Sequence, residues 1–340
     1  MALVRERRQL NLRLPLPEKS QRRPSFPLPP SSTTTSFSTI STASATTAAT
    51  ASSAVNTFSL SDFNKLSVLG SGSGGTVYKV SHKVTGNVYA LKLISSDPNP
   101  THLRQLSREK EILRRMVSSS SESPHIVRCH GVFEKADGDI AVLMEYMDGG
   151  TLLDKQQTDG TLSESSLSKV AYQILNGLKY LHSHKIVHRD IKPANLLVNA
   201  EGEVKISDFG VGRIMGRTLD PCNSYVGTCA YMSPERFDPD TYGNGGGNYN
   251  GYAADIWSLG LTVMELYLGY FPFLLPGQRP DWATLMCAIC FGDPPTLPAG
   301  RGSPAFRSFV SCCLQKEATL RWSADQLLSH PFISKHHHTL

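Results

Sequence analysis

Apolar positions follow two different periods along this chain, and the change of period divides it. Leu66–Leu69 and Thr76–Val80 are short apolar runs around a glycine cluster, and Val88–Ile94 is β-branched and apolar. Each of the three predicts a strand. Leu103, Leu106, Leu113 and Met116 recur at helical spacing and predict a helix over 101–116. Two further strands are predicted around Val127–Glu134 and Ile140–Glu145. Past Gly150 the period becomes helical. Leu167, Val170, Ile174, Leu175, Leu178 and Leu181 form one stripe, and Ile256–Leu268 is apolar nearly all round, as in a buried helix. The expected fold class is α+β, with a small β-rich lobe, then a larger α-rich lobe, and no internal repeat.

Composition sets the limits of that globular part. It begins at Phe63 and continues to about Phe332, leaving residues 333–340 as a short tail. Residues 1–62 are different: first basic and rich in Leu and Pro, then almost only Ser, Thr and Ala. Such a segment buries too little to offset its ordering entropy and is expected to be disordered. The chain has 340 residues and a net charge of +5. Seven of its 34 basic residues and two of its 29 acids lie in the first 61 positions, which leaves 27 of each in the remainder. The charge thus belongs to the tail and not to a nucleic-acid-binding face of the fold. No apolar run reaches the roughly 18 residues of a membrane span, and no apolar leader opens the chain. Seven cysteines form no zinc or disulfide framework, so buried reduced thiols in a cytoplasmic or nuclear monomer are expected.

The candidate chemistry sits in a few short stretches. Gly70, Ser71, Gly72, Ser73, Gly74, Gly75, Thr76 and Val77 lie between two strands, where glycine lets backbone approach phosphates closely. A Rossmann turn would instead open a helix. Lys92 stands inside an apolar strand, Tyr89–Lys92, where an unpaired ammonium is costly and an anionic partner is required. Glu109 shares a helix face with Leu106, Leu113 and Met116 and is the candidate partner; Glu111 faces the other way. HRDIKPAN (residues 188–195) and ISDFG (206–210) supply Asp190 to accept or orient a hydroxyl proton, Lys192 to neutralise a transferring phosphate, and Asn195 and Asp208 as oxygen ligands for Mg²⁺. SPE (233–235) follows after a polar loop.

These motifs, in this order, resemble a complete eukaryotic protein kinase domain over residues 63–332. The resemblance implies a two-lobed fold with ATP between the lobes. Its nucleotide site would take in Leu69, the glycine-rich residues to Val77, Ala90, Lys92, Met144, Glu145 and Met147. It also implies that Glu235 pairs with Arg321 and that Asp255 braces the catalytic loop. MEYMDGG (144–150), VGTCAYMSPER (226–236) and the short activation loop are similar to a plant mitogen-activated protein (MAP) kinase kinase. That family implies dual specificity, with phosphate transferred to Thr and Tyr of a downstream MAP kinase. It also implies activation by an upstream MAP kinase kinase kinase at Thr218 and Ser224, whose five-residue separation is the plant spacing. A Ser/Thr kinase with other substrates and a pseudokinase scaffold are the alternatives. Intact Lys92, Asp190, Asn195 and Asp208 speak against the scaffold.

Three readings fit the N-terminal tail. Arg5, Arg7 and Arg8 ahead of Leu10, Leu12 and Leu14 resemble a MAP kinase docking motif, read by an acidic patch and apolar pockets. A basic, Ser/Thr-rich, acid-poor leader also has the composition of an organelle transit peptide. The third reading is a solvated tail. The kinase resemblance favours docking.

Overall fold

The computed structural model describes residues 58–72, 75–95, 110–111, 123–135, 138–208, 229–242, 250–274 and 281–334. Five antiparallel strands form one sheet in the order β1-β2-β3-β5-β4. They are β1 (Phe63–Gly72), β2 (Gly75–His82), β3 (Val88–Ile94), β4 (Cys129–Glu134) and β5 (Ile140–Glu145). The predicted β3 and β5 have the bounds that the apolar runs give. The others differ by a few residues at their ends, where pairing rather than side-chain pattern decides the limit.

Register explains the two faces of this sheet. Lys92 lies opposite Val77 and Val142, and Ala90 opposite Lys79 and Met144. Directly paired residues share a face, so Val77, Lys79, Ala90, Lys92, Val142 and Met144 line one side. On the other side Phe63, Val80, Leu91, Ala141 and Leu143 close a small core of their own. Phe58 and Leu60 pack against that core, so the fold starts ahead of Phe63. Phe58 meets the rings of Phe63, His82 and Tyr89 at centroid distances of 5.5–5.7 Å. Of the predicted helix over 101–116 only Lys110 and Glu111 are described, and both are helical. Lys110 pairs with Glu134 at 2.9 Å, and Glu111 is exposed.

The larger lobe is helical. Its helices are α1 (Leu152–Asp159), α2 (Glu164–Ser183), α3 (Pro234–Phe237), α4 (Pro239–Tyr242), α5 (Gly251–Leu268), α6 (Trp282–Met286), α7 (Pro304–Cys313), α8 (Ala324–Leu328) and α9 (Pro331–Ser334). A two-stranded ribbon, β6 (Leu196–Val198) with β7 (Val204–Ile206), follows α2 and packs against it through β7. The stripe on α2 is buried as its period predicts, with Leu167, Ile174, Leu175, Leu178 and Leu181 at 0% exposure. Each such leucine contributes about 1.5–3 kcal/mol by leaving water. Helix α5 is buried on all sides from Ala253 to Leu266 and packs against α2 and α7. The final helix extends past Phe332, and Ile333 is buried.

The expectation of buried thiols is corrected in part. Cys129, Cys229, Cys290 and Cys313 are buried, but Cys287 is exposed and Cys312 half-buried. Cys287 opens a π-helical turn, Cys287–Phe291, that turns Ile289 and Cys290 inward and leaves Cys287 and Phe291 outside. No helix among the described residues is long and apolar enough to cross a membrane.

Candidate active site

Helix α2 delivers the chain to the catalytic loop through a defined stop. Lys185 takes φ +60°, its N–H donates to the His182 carbonyl (3.0 Å), and the Ile186 N–H donates to the Leu181 carbonyl (2.9 Å). This is a Schellman cap, with lysine where glycine is usual. Three residues on, the chain enters His188–Asn195, and a single carboxylate holds its first turn. Asp255, on α5 and wholly buried, accepts the His188 N–H (2.9 Å), the Arg189 N–H (2.7 Å) and His182 Nε2–H (2.9 Å). Burial by itself would raise this carboxyl's pKa. The His182 hydrogen bond and charge, the His188 charge and the Arg189 N–H outweigh that and hold it below its ordinary value. Arg189 sits at φ +71° and its carbonyl accepts from Arg236 Nη1 (2.7 Å), so this turn is fixed from both sides.

The groups that follow converge. Asp190 Oδ2 accepts from Lys192 Nζ (2.9 Å) and Asn195 Nδ2 (2.8 Å), while its buried Oδ1 has no hydrogen-bond partner among the described residues. A buried carboxylate oxygen left open in this way suits a hydrogen-bond donor that arrives with a substrate. Asn195 Nδ2 also donates to the Asp190 carbonyl (2.8 Å). With its nitrogen committed, the amide offers its oxygen to a cation. His188, buried, donates from Nε2 to the Ser207 carbonyl (2.8 Å) and accepts the Asp190 N–H at Nδ1 (3.2 Å). Ser207 N and Oγ both donate to the Asn195 carbonyl (2.9 and 3.0 Å). These bonds tie the loop to the end of β7, so Asp208 emerges beside Asn195. The motif pattern did not assign His188 or Ser207, whose signal is only their place inside HRD and SDF.

From the sheet, Lys92 reaches Asp208: Nζ lies 2.6 Å from Oδ1, and the residue is 4% exposed. Asp208 has φ +59°, a conformation that Asp tolerates better than most residues. The anion that Lys92 requires is therefore supplied by Asp208, 116 positions away. The proposed partner Glu109 lies outside the described residues, as do Ser73, Gly74, Thr218, Ser224 and the tail residues Arg5, Arg7, Arg8, Leu10, Leu12 and Leu14. Gly70 pairs with Val77, Ser71 with Thr76 and Gly72 with Gly75, so the described glycine-rich residues are the paired ends of β1 and β2. Gly75 has φ +111°, and a Cβ there would stand 2.0 Å from the Leu93 carbonyl oxygen, so only glycine fits. Leu69 at the same end is 45% exposed. At the connection between the lobes Met147 is buried, and Gly149 donates to the Val198 carbonyl (2.9 Å).

The donor set has a definite chemistry. Asn195 and Asp208 offer hard oxygens, which suit a divalent cation such as Mg²⁺. Among the described residues no group of three or more His, Cys, Asp or Glu could hold a metal alone. A cation here would complete its shell with phosphate oxygens and water, as Mg²⁺ does at nucleotide sites. Away from this centre, Arg321 Nη1 and Nη2 reach the two Glu235 oxygens at 2.6 and 2.8 Å, both side chains almost fully buried. That bidentate pair fastens α3 to the segment just ahead of α8.

Residues 63–333 match the protein kinase domain family. The chain is 58% identical to mitogen-activated protein kinase kinase 9 of Arabidopsis thaliana over 98% of this chain and 99% of that protein. It is 55% identical to mitogen-activated protein kinase kinase 7 over the same shares, and 44% identical to kinase kinase 8, both of the same plant. Such likeness spans the sheet, the helical lobe and the loops between them, and the chain belongs to the protein kinase family and, within it, to the plant mitogen-activated protein kinase kinases.

Proposed function

We propose that this kinase transfers the γ-phosphoryl group of Mg²⁺-ATP to the Thr and Tyr of a MAP kinase activation loop, and that an upstream MAP kinase kinase kinase switches it on at Thr218 and Ser224. The observation that carries the reading is the state of Asp190. One oxygen is fixed by Lys192 and Asn195, and the other is buried and open. That open oxygen accepts the hydrogen bond of the incoming hydroxyl, orients it and takes its proton as the new P–O bond forms and the bond from the γ-phosphorus to the bridging oxygen of ADP breaks. Lys192, on the same carboxylate, offsets negative charge on the transferring group. Lys92 exchanges part of its contact with Asp208 for the nucleotide's phosphates, and Asn195 and Asp208 hold Mg²⁺. The bound ion supplies charge neutralisation on the phosphates. Arg189, at the start of the loop, is our candidate to bind a phosphorylated Ser224 or Thr218, since a phosphate brings about −1.5 to −2 charges for a guanidinium to bind. The basic tail, with Arg5, Arg7, Arg8 and the leucines after them, docks the MAP kinase. The chain acts as a monomer in the cytoplasm or nucleus.

The test is an in vitro assay of the Thr218→Asp, Ser224→Asp chain against a panel of MAP kinases made inactive by mutation, with the phosphorylated residues mapped. Phosphate on both Thr and Tyr of one activation loop is expected. It should be lost when Asp190→Asn is added, while ATP still binds. Phosphate on Ser and Thr of unrelated proteins alone would defeat the reading.

A further inference from the structure

The last residue of β5, Glu145, makes contacts that the phosphotransfer chemistry does not use. Its Oε2 accepts from Lys205 Nζ at 2.7 Å, and its Oε1 accepts the Arg128 N–H at 2.6 Å. Its own N–H donates to the Arg128 carbonyl at 3.0 Å. Lys205 belongs to β7, three residues before Asp208. The same strand is tied to the segment leading to Arg128: Ile206 N–H donates to the His125 carbonyl (3.0 Å), and Val127 N–H to the Ile206 carbonyl (2.9 Å). The contacts close a ring that runs from Glu145 to Lys205, along β7, across to residues 125–128, and back to Glu145. Both side chains are mostly covered, with Lys205 at 15% and Glu145 at 22% exposure. The next residue, Tyr146, is held from the sheet by Lys79, whose Nζ lies 4.4 Å from the ring centroid.

We propose that Glu145 and Lys205 are positioning residues that latch the hinge to the strand leading to Asp208 and so set the affinity for the intact nucleotide. The inference rests on the functional reading above. ATP is a two-ended ligand: its base is seated at the hinge around Met147, and its phosphates and their cation at Asp208. Both ends bind well together only when the distance between their seats is fixed before binding. The latch fixes it, because one ion pair spans from the hinge to β7, two residues ahead of Asp208.

The test compares Mg²⁺-ATP with adenosine, which engages only the hinge end, by calorimetry on the full chain. Lys205→Met and Glu145→Gln remove opposite charges, and the latch predicts the same result for both. ATP binding should weaken about fivefold in both, the change that about 1 kcal/mol makes, with adenosine affinity changed by less than about twofold in Lys205→Met. Lys205→Arg should retain wild-type affinity. A simple effect of charge on the phosphates would instead tighten ATP binding in Glu145→Gln, and that result would overturn the latch. So would unchanged ATP affinity in a variant whose melting temperature has dropped, which is the mark of a purely structural pair. A wild-type chain unable to bind Mg²⁺-ATP would overturn the functional reading and the latch with it.

Discussion

Replacing Asp255 by Asn should separate the brace of the catalytic loop from the chemistry it supports. The carboxylate accepts three hydrogen bonds in the core, and Oδ1 serves only the Arg189 N–H. Asparagine keeps one acceptor oxygen and presents an NH₂ at the other position. If its oxygen stays with His188 and His182, Arg189 N–H faces a donor. The lost bond to a charged acceptor and the stranded N–H together cost about 2–4 kcal/mol. Arg189 is also the residue at φ +71°, so the turn is free to relax toward a commoner backbone. At about 2–4 °C per kcal/mol for a domain of this size, the melting temperature should fall by roughly 4–16 °C. Movement of Asp190 by about 1 Å costs about 10²-fold in kcat, with KM for ATP changed by less than about threefold.

The pH dependence carries a further check. Burial raises the Asp255 pKa, but the His182 hydrogen bond and charge, the His188 charge and the Arg189 N–H outweigh it, so the folded pKa is depressed below the ordinary 3.8. The stabilisation is therefore complete above that value and is lost as pH falls through the folded one. The stability gap between wild type and Asp255→Asn should close in strong acid. Chemical denaturation across pH and steady-state kinetics read these outcomes. A gap that persisted in strong acid would refute the carboxylate's part in stability, and a raised KM with unchanged kcat would refute the positioning role.

Two other perturbations follow from the same geometry. Arg321→Met leaves the Glu235 carboxylate buried without its bidentate partner, and loss of one member of such a pair costs about 3–5 kcal/mol. Glu235→Gln should cost less, because Arg321 keeps the carbonyls of Gln315, Ala253 and Lys316; equal losses in thermal melts would contradict that asymmetry. Gly75→Ala drives a Cβ into the Leu93 carbonyl at φ +111° and should shift the hairpin end. Weaker ATP binding by calorimetry is expected, with the cooperative melt retained, and unchanged affinity would show that this hairpin is remote from the nucleotide.

Local pattern was enough for several elements. Short apolar runs placed β3 and β5, helical spacing placed the α2 stripe, and the all-apolar run Ile256–Leu268 marked a helix buried on every side. These are short-range signals, because period 2 and period 3.6 are properties of the backbone itself. The order of HRDIKPAN, ISDFG and SPE carried the family, since each motif needs the others for its chemistry. The tie of Lys92 to Asp208 was not legible, because a lysine in a strand announces only its need for an anion. Its partner is decided by how the sheet meets the helical lobe, 116 residues on. The same holds for Glu145 and Lys205, which look like ordinary strand-end charges until folding brings the hinge against β7. Cys287 was misjudged for a related reason: exposure depends on which side of a π-helical turn faces Ile289's core, and spacing alone does not say. The sequence by itself determined which residues could do the chemistry. Tertiary structure decided which anion Lys92 meets and which cation Glu145 meets, because charges distant in sequence find partners only when packing brings them within a few ångströms in a medium that excludes water.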